Sequence, residues 1–548
     1  MHMFCFQCQE TGEGKGCRHS GVCGKDDEVA NAQDLLIWTL KGLSVLQEEL
    51  GRKGIPTEPE TARFLAFSLF STVTNVNFDA PRVLELVRRG LALKASLLEK
   101  HTSLLEGFEH PMARWQPADE DALRRQAYEV GVLFSNPDED IRSLRETMIY
   151  GLKGIAAYQH HAMILGHDDP ELTAFIVKAL AATTKELAIP ELLDLVLETG
   201  RVTILSMALI DRANTATYGE PEPTRIPLGV RGNPGILVSG HDLRDIQEIL
   251  EQTEGQGIDV YTHSEMLATH YYPALRKYGH LAGNYGNAWW NQDRDFASFN
   301  GPIVVTSNCI TPVQEAYRDR IFGTGPVAYP GVPHIAEDPV TGRKDWSRVI
   351  ALARTCEPPQ AVDAGGFLGG FGRARLTAEA GRIVELVKAG RISRFVVMGG
   401  CDGRDLSRDY YRQVAEQLPP DAVILTAGCA KYRFMQCRLG DIDGLPRILD
   451  AGQCNDCYTL LVIALKLKEA FGAEDLNALP ISFDIPWYDQ KSVAVLLALL
   501  YLGVKGVRLG PTHPAFLSPA VKAVLESKFD LKRIGTARED VAAMMAGR

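Results

Sequence analysis

The segment YGEPEPTRIPLGVR, residues 218–231, separates two parts of the sequence that differ in their hydrophobic pattern. Its prolines and glycines would interrupt a helix and mark a connection between domains. From about residue 30 to residue 210, apolar residues recur at helical spacing, as in Leu36, Leu40 and Leu43. Beyond the segment, short β-branched runs alternate with longer helical patterns, which is typical of mostly parallel α/β sheets. The sequence therefore predicts an N-terminal helical bundle followed by doubly wound, Rossmann-like α/β domains.

The length of the chain and a second glycine-rich stretch set the expected number of domains. A single hydrophobic core rarely exceeds about 250–300 residues, and this chain has 548. The stretch DAGGFLGGFGR, residues 363–373, is expected to separate two α/β units. We therefore predict a helical domain at residues 1–222 and α/β domains at 223–366 and 367–548.

The composition is that of a soluble globular protein, with 45% hydrophobic and 23% charged residues. The longest uncharged apolar run, residues 493–504, is shorter than the ~20 residues that span a bilayer. Residues 1–26 carry cysteines and glycines where a signal peptide needs an apolar stretch. A net charge of -11 without a basic stripe argues against a nucleic-acid partner. We expect a cytoplasmic monomer that binds neither nucleic acid nor membranes.

Four of the eleven cysteines lie within nineteen residues near the N-terminus, at spacing C-x2-C-x8-C-x5-C. They are Cys5, Cys8, Cys17 and Cys23. In a chain without a secretory signal, clustered cysteines indicate metal ligation rather than disulfides. The glycines between them would let the backbone fold tightly around an ion or a cluster. Zinc and iron–sulfur clusters both use four thiolates, so the motif alone leaves both open.

A reactive side chain follows each of the five clearest strand candidates, which are residues 235–239, 258–261, 303–306, 395–398 and 423–426. In doubly wound sheets, ligands bind at the carboxyl ends of the strands. The residues that follow these strands are His241, Glu265, Cys309, Cys401 and Cys429, and Cys454 lies in the glycine-flanked turn DAGQCND. Taken singly, each is more often a core residue than a ligand.

Taken together, these six residues favour a polynuclear iron site. Four thiolates, an imidazole and a carboxylate are too many ligands for one tetrahedral zinc. The mixture of soft and hard ligands suits iron with some oxygen or nitrogen coordination. A redox centre of this kind needs an electron relay, which in turn favours an iron–sulfur cluster at the N-terminal cysteines.

The motifs resemble those of the hybrid-cluster (prismane, hydroxylamine reductase) family, in its anaerobe-type branch, over essentially the whole chain. They are FCFQCQETGEGKGC at 4–17, GHDL at 240–243, YTHSEML at 261–267, NYGNAWW at 284–290, SNC at 307–309, GGCDGRD at 399–405, TAGCAKYRF at 426–434, GQCNDCY at 452–458 and LGPTHPAFLSP at 509–519. The resemblance implies a [4Fe-4S] cluster on the four N-terminal cysteines. It also implies a hybrid [4Fe-2O-2S]-type cluster held by His241, Glu265, Cys309, Cys401, Cys429, Cys454 and Asp489. Cys401 matches the family position that is found as a persulfide.

Asp489 is the one position among these ligands where the sequence departs from the family pattern. The family has WYEQK with glutamate as the ligand, whereas residues 487–491 read WYDQK. Aspartate is one methylene shorter, which withdraws its oxygens by about 1.5 Å. Either the backbone moves in, or a water bridges, or that iron is more open. We predict that Asp489 remains a ligand.

The resemblance implies an enzyme that reduces hydroxylamine to ammonia or nitric oxide to nitrous oxide. Glu265, Cys401, Asp489 and Lys491 are the predicted catalytic side chains, and Asn308 and Tyr488 are candidates for hydrogen bonding to substrate. Electrons would come from a ferredoxin, a rubredoxin or an NADH-dependent reductase. A second hypothesis is sensing of nitric oxide or redox state, with Cys401 transferring sulfur or nitrosyl groups. Carbon monoxide dehydrogenase-like chemistry is a third, although no nickel-type ligand set stands out.

Several other cysteines and histidines are predicted to have no part in the metal sites. Cys457 is interpreted as a spare thiol beside Cys454, and Cys356 and Cys437 as packing residues. His160 and His161 fall in a helical segment and are interpreted as hydrogen-bonded or exposed. His263 is left open between a proton donor and a structural residue.

Overall fold

The computed structural model describes residues 3–548, and the first two residues of the predicted N-terminal segment lie outside it. The helices are α1 (Asp27–Arg52), α2 (Pro59–Ser71), α3 (Ala80–Lys100), α4 (Pro111–Arg114), α5 (Glu120–Glu129), α6 (Glu139–Ile164), α7 (Pro170–Ala182), α8 (Ile189–Tyr218), α9 (Leu243–Thr253), α10 (Pro273–Arg276), α11 (Gln292–Ser298), α12 (Ser347–Ala353), α13 (Arg373–Lys388), α14 (Asp409–Gln417), α15 (Cys457–Phe471), α16 (Gln490–Tyr501), α17 (Pro519–Phe529) and α18 (Ala537–Met545).

The strands are β1 (Thr224–Pro227), β2 (Gly235–Ser239), β3 (Asp259–His263), β4 (Leu281–Asn284), β5 (Ile303–Val305), β6 (Ile321–Thr324), β7 (His334–Ile335), β8 (Gly366–Gly369), β9 (Arg394–Val397), β10 (Ala422–Thr426), β11 (Asp441–Ile442), β12 (Leu445–Pro446), β13 (Ile448–Asp450), β14 (Ile481–Pro486), β15 (Arg508–Gly510) and β16 (Lys532–Arg533). All five predicted strands are present, with ends that shift by at most two residues. The predicted class of a helical region followed by parallel-sheet α/β units is therefore confirmed.

In the N-terminal region, the apolar spacing and the N-cap residues favour helices over the same stretches of sequence. In α1, Leu36, Leu40 and Leu43 recur at helical spacing and are fully buried. The carboxylate of Asp26 caps the helix by accepting a hydrogen bond from the backbone N–H of Val29 at 2.8 Å. Helices α1 to α8 share one apolar core, to which the second α/β unit also contributes.

Two six-stranded parallel sheets follow the helical region. The first has the order β4-β3-β2-β5-β6-β7 and the second has the order β13-β10-β9-β14-β15-β16. In each sheet the chain turns outward in both directions from a central pair of strands, β2 and β5 in the first and β9 and β14 in the second. Such switch points leave a crevice at the carboxyl ends of the two strands, where ligands bind in folds of this kind.

The two segments predicted as connections pair with each other. Strand β1 lies within residues 218–231 and β8 within residues 363–373, and they form an antiparallel ribbon in which Thr224 is paired with Gly369. The sequence did not predict these strands, because their prolines and glycines resemble a loop. Glycine is required here for close approach, since a Cβ on Gly369 would lie 2.1 Å from the hydroxyl of Tyr271.

Helix α16 is seated against α6 and α8 on a surface of small residues. A Cβ on Gly200 would lie 2.1 Å from the carbonyl oxygen of Leu497, and a Cβ on Gly154 would lie 2.7 Å from the Cβ of Ala494. The C-terminal unit is therefore joined to the helical bundle through α16, whose first turn carries Asp489 and Lys491. Among residues 3–548, no helix combines the length and the apolar character needed to span a membrane.

We expect Gly200→Ala to destabilise the protein by about 1–3 kcal/mol, because the added methyl group overlaps the α16 backbone. The overlap outweighs the gain of up to about 1 kcal/mol that alanine brings inside a helix. Thermal unfolding of the anaerobically purified variant would measure the effect. Gly381→Ala in α13 is the matched control, because its added Cβ meets no atom within 4 Å, and it should raise Tm. An unchanged or raised Tm in Gly200→Ala would contradict the close seating of α16.

Candidate metal centres

The four N-terminal cysteines converge on one small cavity. Cys5 and Cys17 exchange backbone hydrogen bonds of 3.0 and 2.8 Å, which hold the two ends of this loop together. The backbone N–H of Gly12 points at the Cys17 sulfur at 3.3 Å. Burial raises the pKa of the Cys8 thiol, and the nearby Cys23, Cys5 and Cys17 raise it further. The loop thus lines one cavity with four soft ligands and directs a backbone N–H at one of them.

Lys25 is a polar neighbour of this cluster that the sequence did not predict. Its ammonium group donates to the Cys5 sulfur at 3.5 Å and to Gln33 at 2.9 Å. Burial alone would lower the pKa of Lys25, but the adjacent Cys5 and Cys23 raise it above its ordinary value. A buried cation therefore faces the negative charge that four thiolates would carry. The only signal in the sequence was its position two residues after Cys23.

The second group of predicted ligands lies where the carboxyl edges of the two sheets meet. His241 and Cys309 follow β2 and β5, on either side of the first switch point, and Cys401 and Asp489 follow β9 and β14 at the second. Direct contacts join the two edges. The Asn308 amide donates to Asp489 at 2.8 Å, and the Ser264 hydroxyl lies 3.2 Å from the Cys429 sulfur. Two crevices on separate sheets thus form one buried site.

His241, Glu265 and Cys454 form the tightest part of this site. Their ligand atoms all lie within 4.8 Å of one another, and all three residues are buried. The Nε2 atom of His241 is 3.7 Å from Oε2 of Glu265. The backbone N–H of Cys454 donates to the same Oε2 at 2.8 Å, whereas the buried Oε1 of Glu265 has no hydrogen-bond partner. A buried carboxylate oxygen without a partner is costly unless a cation completes it.

The contacts of His241 fix its tautomer and direct one lone pair into the site. Nδ1 is 2.9 Å from the Ser307 hydroxyl, and Nε2 is 2.9 Å from the Lys491 ammonium group. Because an ammonium group can only donate, Nε2 is the acceptor and Nδ1 carries the proton. Burial lowers the pKa of His241, and the charge of Lys491 lowers it further. The neutral ring is the form that binds metals, and its Nε2 lone pair, which here accepts from Lys491, is the one that could bind a metal.

Each of the four cysteines in this site has a polar side chain beside its sulfur. Ser492 lies 2.9 Å from the Cys401 sulfur and Tyr158 lies 3.9 Å from the Cys454 sulfur. Ser264 makes the contact with Cys429 described above, and Asn308 donates to the Cys309 sulfur at 3.5 Å. Hydrogen bonds to sulfur are one of the means by which proteins tune cluster potentials. Among these partners the sequence indicated only Asn308, and that as a candidate for hydrogen bonding to substrate; the others become neighbours of the sulfurs through folding alone.

Burial raises the pKa of all four thiols, to about 12 for Cys454. Without a cation in the site, these thiols hold their protons at neutral pH. Binding of a metal would therefore release protons from them.

Two buried lysines supply the positive charge of the site. Lys431 pairs with Asp450 at 2.6 Å, and Tyr271 donates to the same carboxylate at 2.5 Å. Lys491 donates to the Asn308 side-chain oxygen at 2.9 Å. Burial raises the pKa of the Glu265 carboxyl, and both lysines oppose that shift.

The remaining predicted residues divide between the edge of the site and the surrounding structure. The Tyr488 ring packs 4.5 Å from the Trp289 ring, and its buried hydroxyl has no partner among the described residues. His161 in α6 stacks over His241 with 6.5 Å between ring centroids, so the structure brings it closer to the site than the sequence suggested. His263 bonds to Ser239 at 2.9 Å and to Asp295 at 3.3 Å, which is a structural arrangement.

Comparison with known proteins identifies relatives along the entire chain. A family model described as the Prismane/CO dehydrogenase family matches residues 3–542. Proteins named hydroxylamine reductase are 53% identical in Desulfosudis oleivorans, 52% in Nitratidesulfovibrio vulgaris and 54% in Bacteroides thetaiotaomicron, with 100% of each chain covered.

The solved structures that resemble this chain are more distant. Carbon monoxide dehydrogenase IV from Carboxydothermus hydrogenoformans has a TM-score of 0.58 at 14% identity, over 99% of this chain and 92% of that chain. A nickel-free carbon monoxide dehydrogenase from Thermococcus sp. AM4 has a TM-score of 0.56 at 16% identity, over 99% and 90%. At these identities the likeness concerns the fold alone.

The family predicted from the cysteine spacing and the strand-end motifs is confirmed by these matches. Both the family model and the relatives extend over the helical region and over both parallel sheets. The chain belongs to the Prismane/CO dehydrogenase family.

Proposed function

We propose that this protein is an iron–sulfur oxidoreductase that reduces small nitrogen species, with hydroxylamine as a substrate that yields ammonia. Nitric oxide, reduced to nitrous oxide, is the second candidate substrate. The observation that carries the proposal is the mixed set of thiols, imidazole and carboxylate buried where the two sheet edges meet. Its occurrence in a chain that is 52–54% identical to proteins named hydroxylamine reductase supports the same activity here.

The N-terminal loop is suited to a [4Fe-4S] cluster on Cys5, Cys8, Cys17 and Cys23. The Gly12 N–H aimed at the Cys17 sulfur and the Lys25 ammonium group beside Cys5 would both stabilise thiolate charge. Two of the four cysteines are half-buried. This exposure supports a role as the centre that accepts electrons from outside the protein.

The second site is suited to a hybrid iron cluster with sulfide and oxygen bridges. Cys309, Cys401, Cys429 and Cys454 would hold its sulfide-rich part, with Cys401 as the persulfide position. His241 and Glu265 would hold iron through Nε2, which Lys491 would have to release, and through the unpartnered Oε1. The ligand mixture of sulfur, nitrogen and oxygen is too large and too varied for a single zinc ion.

Reduction of hydroxylamine takes up two electrons and two protons, breaks the N–O bond and yields ammonia and water. Bound iron would supply electrons and a coordination position for the substrate. Lys491 and Asn308 contribute hydrogen-bond donors at the site, and their mutual contact at 2.9 Å fixes both side chains. Burial alone would lower the pKa of Lys491, but Cys454 and Asp489 raise it above its ordinary value. Lys491 therefore stays charged and can hydrogen-bond to the substrate oxygen.

Electrons have a short hydrogen-bonded route from the N-terminal loop to the second site. The backbone N–H of Gln9, next to Cys8, donates to the Tyr488 carbonyl at 3.0 Å. Gln7 lies on the other side of Cys8, and its carbonyl accepts a hydrogen bond from the Gln490 side-chain amide at 2.5 Å. The side-chain oxygen of Gln490 accepts from the backbone N–H of Thr74 at 2.8 Å. The segments 7–9 and 488–490 are thus clamped against each other.

The physiological setting belongs to the same proposal. The electron donor would be a ferredoxin, a rubredoxin or an NADH-dependent reductase, and the enzyme would act in the cytoplasm as a monomer. The domain boundaries near residues 222 and 366 also stand as a proposal. The ribbon of β1 and β8 lies at these two boundaries.

Single cysteine substitutions should remove the two centres independently. In anaerobically purified protein, Cys8→Ala is expected to lose the EPR signal of the N-terminal cluster and retain that of the second centre. Cys429→Ala is expected to do the reverse and to abolish ammonia formation from hydroxylamine. Cys356→Ala, outside both sites, is the control and should retain both signals. A wild-type preparation that holds only zinc, or that consumes neither hydroxylamine nor nitric oxide with a strong reductant, would refute the proposed function.

Gln490→Leu should slow electron transfer between the two centres, because it removes the clamp between segments 7–9 and 488–490. It leaves the buried Thr74 N–H unpaired as well, at a cost of about 1–3 kcal/mol in stability. Rapid mixing with a reductant would follow the reduction of each centre separately. We expect reduction of the N-terminal cluster at the wild-type rate and delayed reduction of the second centre. Gln413→Leu, at an exposed position on α14, is the control, and equal rates in both variants would contradict the route.

A further inference from the structure

The residue that departs from the family pattern, Asp489, has contacts of a different kind from those of the other predicted ligands. We propose that in this chain Asp489 is the N-cap of α16 and the support of Asn308, and that it is not an iron ligand. The second centre would then have one coordination position that no protein group fills, which water or a small nitrogen substrate can occupy. This inference rests on the proposed function, and it replaces the expectation that Asp489 is a seventh ligand.

One carboxylate oxygen of Asp489 is used by the first turn of α16. The residue has extended backbone angles, φ −112° and ψ −175°, as an N-cap residue requires. Its Oδ1 accepts hydrogen bonds from the backbone N–H groups of Lys491 at 2.9 Å and Ser492 at 3.4 Å. Asp489 is 1% exposed, so water has little access to these donors if the carboxylate turns away. The cap is therefore costly to give up.

The second oxygen is used by Asn308. Oδ2 accepts from the Asn308 side-chain amide at 2.8 Å, and the opposite end of that amide accepts from Lys491 at 2.9 Å. Lys491 in turn donates to Nε2 of His241 at 2.9 Å. Asp489 thus orients a chain of hydrogen bonds that ends on a predicted ligand. This is the role of a positioning residue.

The carboxylate is also displaced from the tightest group of ligand atoms. Among the described residues, the group within 4.8 Å consists of His241, Glu265 and Cys454, and Asp489 lies outside it together with Cys309, Cys401 and Cys429. On this side of the site Asp489 contacts Cys401, whose sulfur is 3.8 Å from Oδ1. That oxygen is the one already occupied by the helix cap.

The backbone around Asp489 is held on both sides, so it has little freedom to move toward the site. The Pro486 carbonyl accepts from Cys401 at 2.9 Å, and the Trp487 N–H donates to Gly510 at 3.1 Å. Tyr488 and Gln490 are fixed by the clamp to segment 7–9. Inward movement of about 1.5 Å, the length lost with one methylene, would break several of these bonds. A glutamate side chain is too long to be a good N-cap and would be free to extend, whereas aspartate is among the best N-cap residues.

The pair Asp489→Ser and Asp489→Ala separates the two roles, because both remove the carboxylate and only serine restores the cap. If Asp489 is a cap, Asp489→Ser should retain the iron-to-protein ratio and the EPR signal of the second centre, with a Tm between those of the wild type and Asp489→Ala, because serine restores the cap but not the bond to Asn308. Asp489→Ala should show a lower Tm. Asp119→Ala, which removes the exposed N-cap of α5, is the control and should lower Tm without changing either signal.

The variant Asp489→Glu tests the open position directly. A longer carboxylate should reach iron, change the EPR signal of the second centre and weaken its response to added hydroxylamine. Equal loss of iron and signal in Asp489→Ser and Asp489→Ala, or an Asp489→Glu signal identical to that of the wild type, would overturn the inference. Both outcomes require that wild-type protein measured alongside contains the second centre. If the wild type lacks it, the proposed function fails instead.

Discussion

The structure depends on the burial of a large set of polar groups where two sheet edges meet, out of reach of water. Thiols, an imidazole and a carboxylate follow the carboxyl ends of the parallel strands there. Removing these polar groups from water costs free energy, which nearby interactions must offset. Two buried lysines offset part of it. Lys431 is held by Asp450 and Tyr271, and Lys491 is held by Asn308. The buried Oε1 of Glu265 remains without a partner, and it is a group that a metal would complete.

The close packing of α16 against α6 and α8 connects the buried site to the helical bundle. The helix starts at the site and continues into the groove of small residues on α6 and α8, where Gly154 and Gly200 permit backbone contact. The same segment is clamped to the N-terminal loop at Tyr488 and Gln490. The two centres and the helical bundle therefore share one short stretch of chain. A displacement of this stretch would be felt at both centres, which explains why buried amides rather than apolar side chains hold it.

Much of this arrangement could be predicted from the sequence, because strand ends and cysteine spacing are local signals. The five strands, the four N-terminal cysteines, the five strand-end residues and Cys454 in its glycine-flanked turn are of this kind. The polar partners of the sulfurs were missed, because Ser492, Ser264 and Tyr158 reach those sulfurs only through contacts between distant elements. The ribbon of β1 and β8 was missed for the opposite reason. Its local composition is that of a loop, and its strands are stabilised by pairing between residues far apart in sequence, such as Thr224 and Gly369.

If Asp489 caps α16 as proposed, the length of one methylene decides the role of this residue. At the first turn of a helix, the reach of a carboxylate decides whether it bonds to its own backbone or extends into the site. Aspartate satisfies two N–H groups of α16 and one amide of Asn308 at once. A longer carboxylate that extended to a metal would no longer accept hydrogen bonds from these donors, which would then need other partners. Because segments 7–9 and 488–490 are locked together, this exchange occurs at the side chain alone. In the proposed arrangement, the coordination of the second centre is therefore set separately from the path by which electrons would reach it.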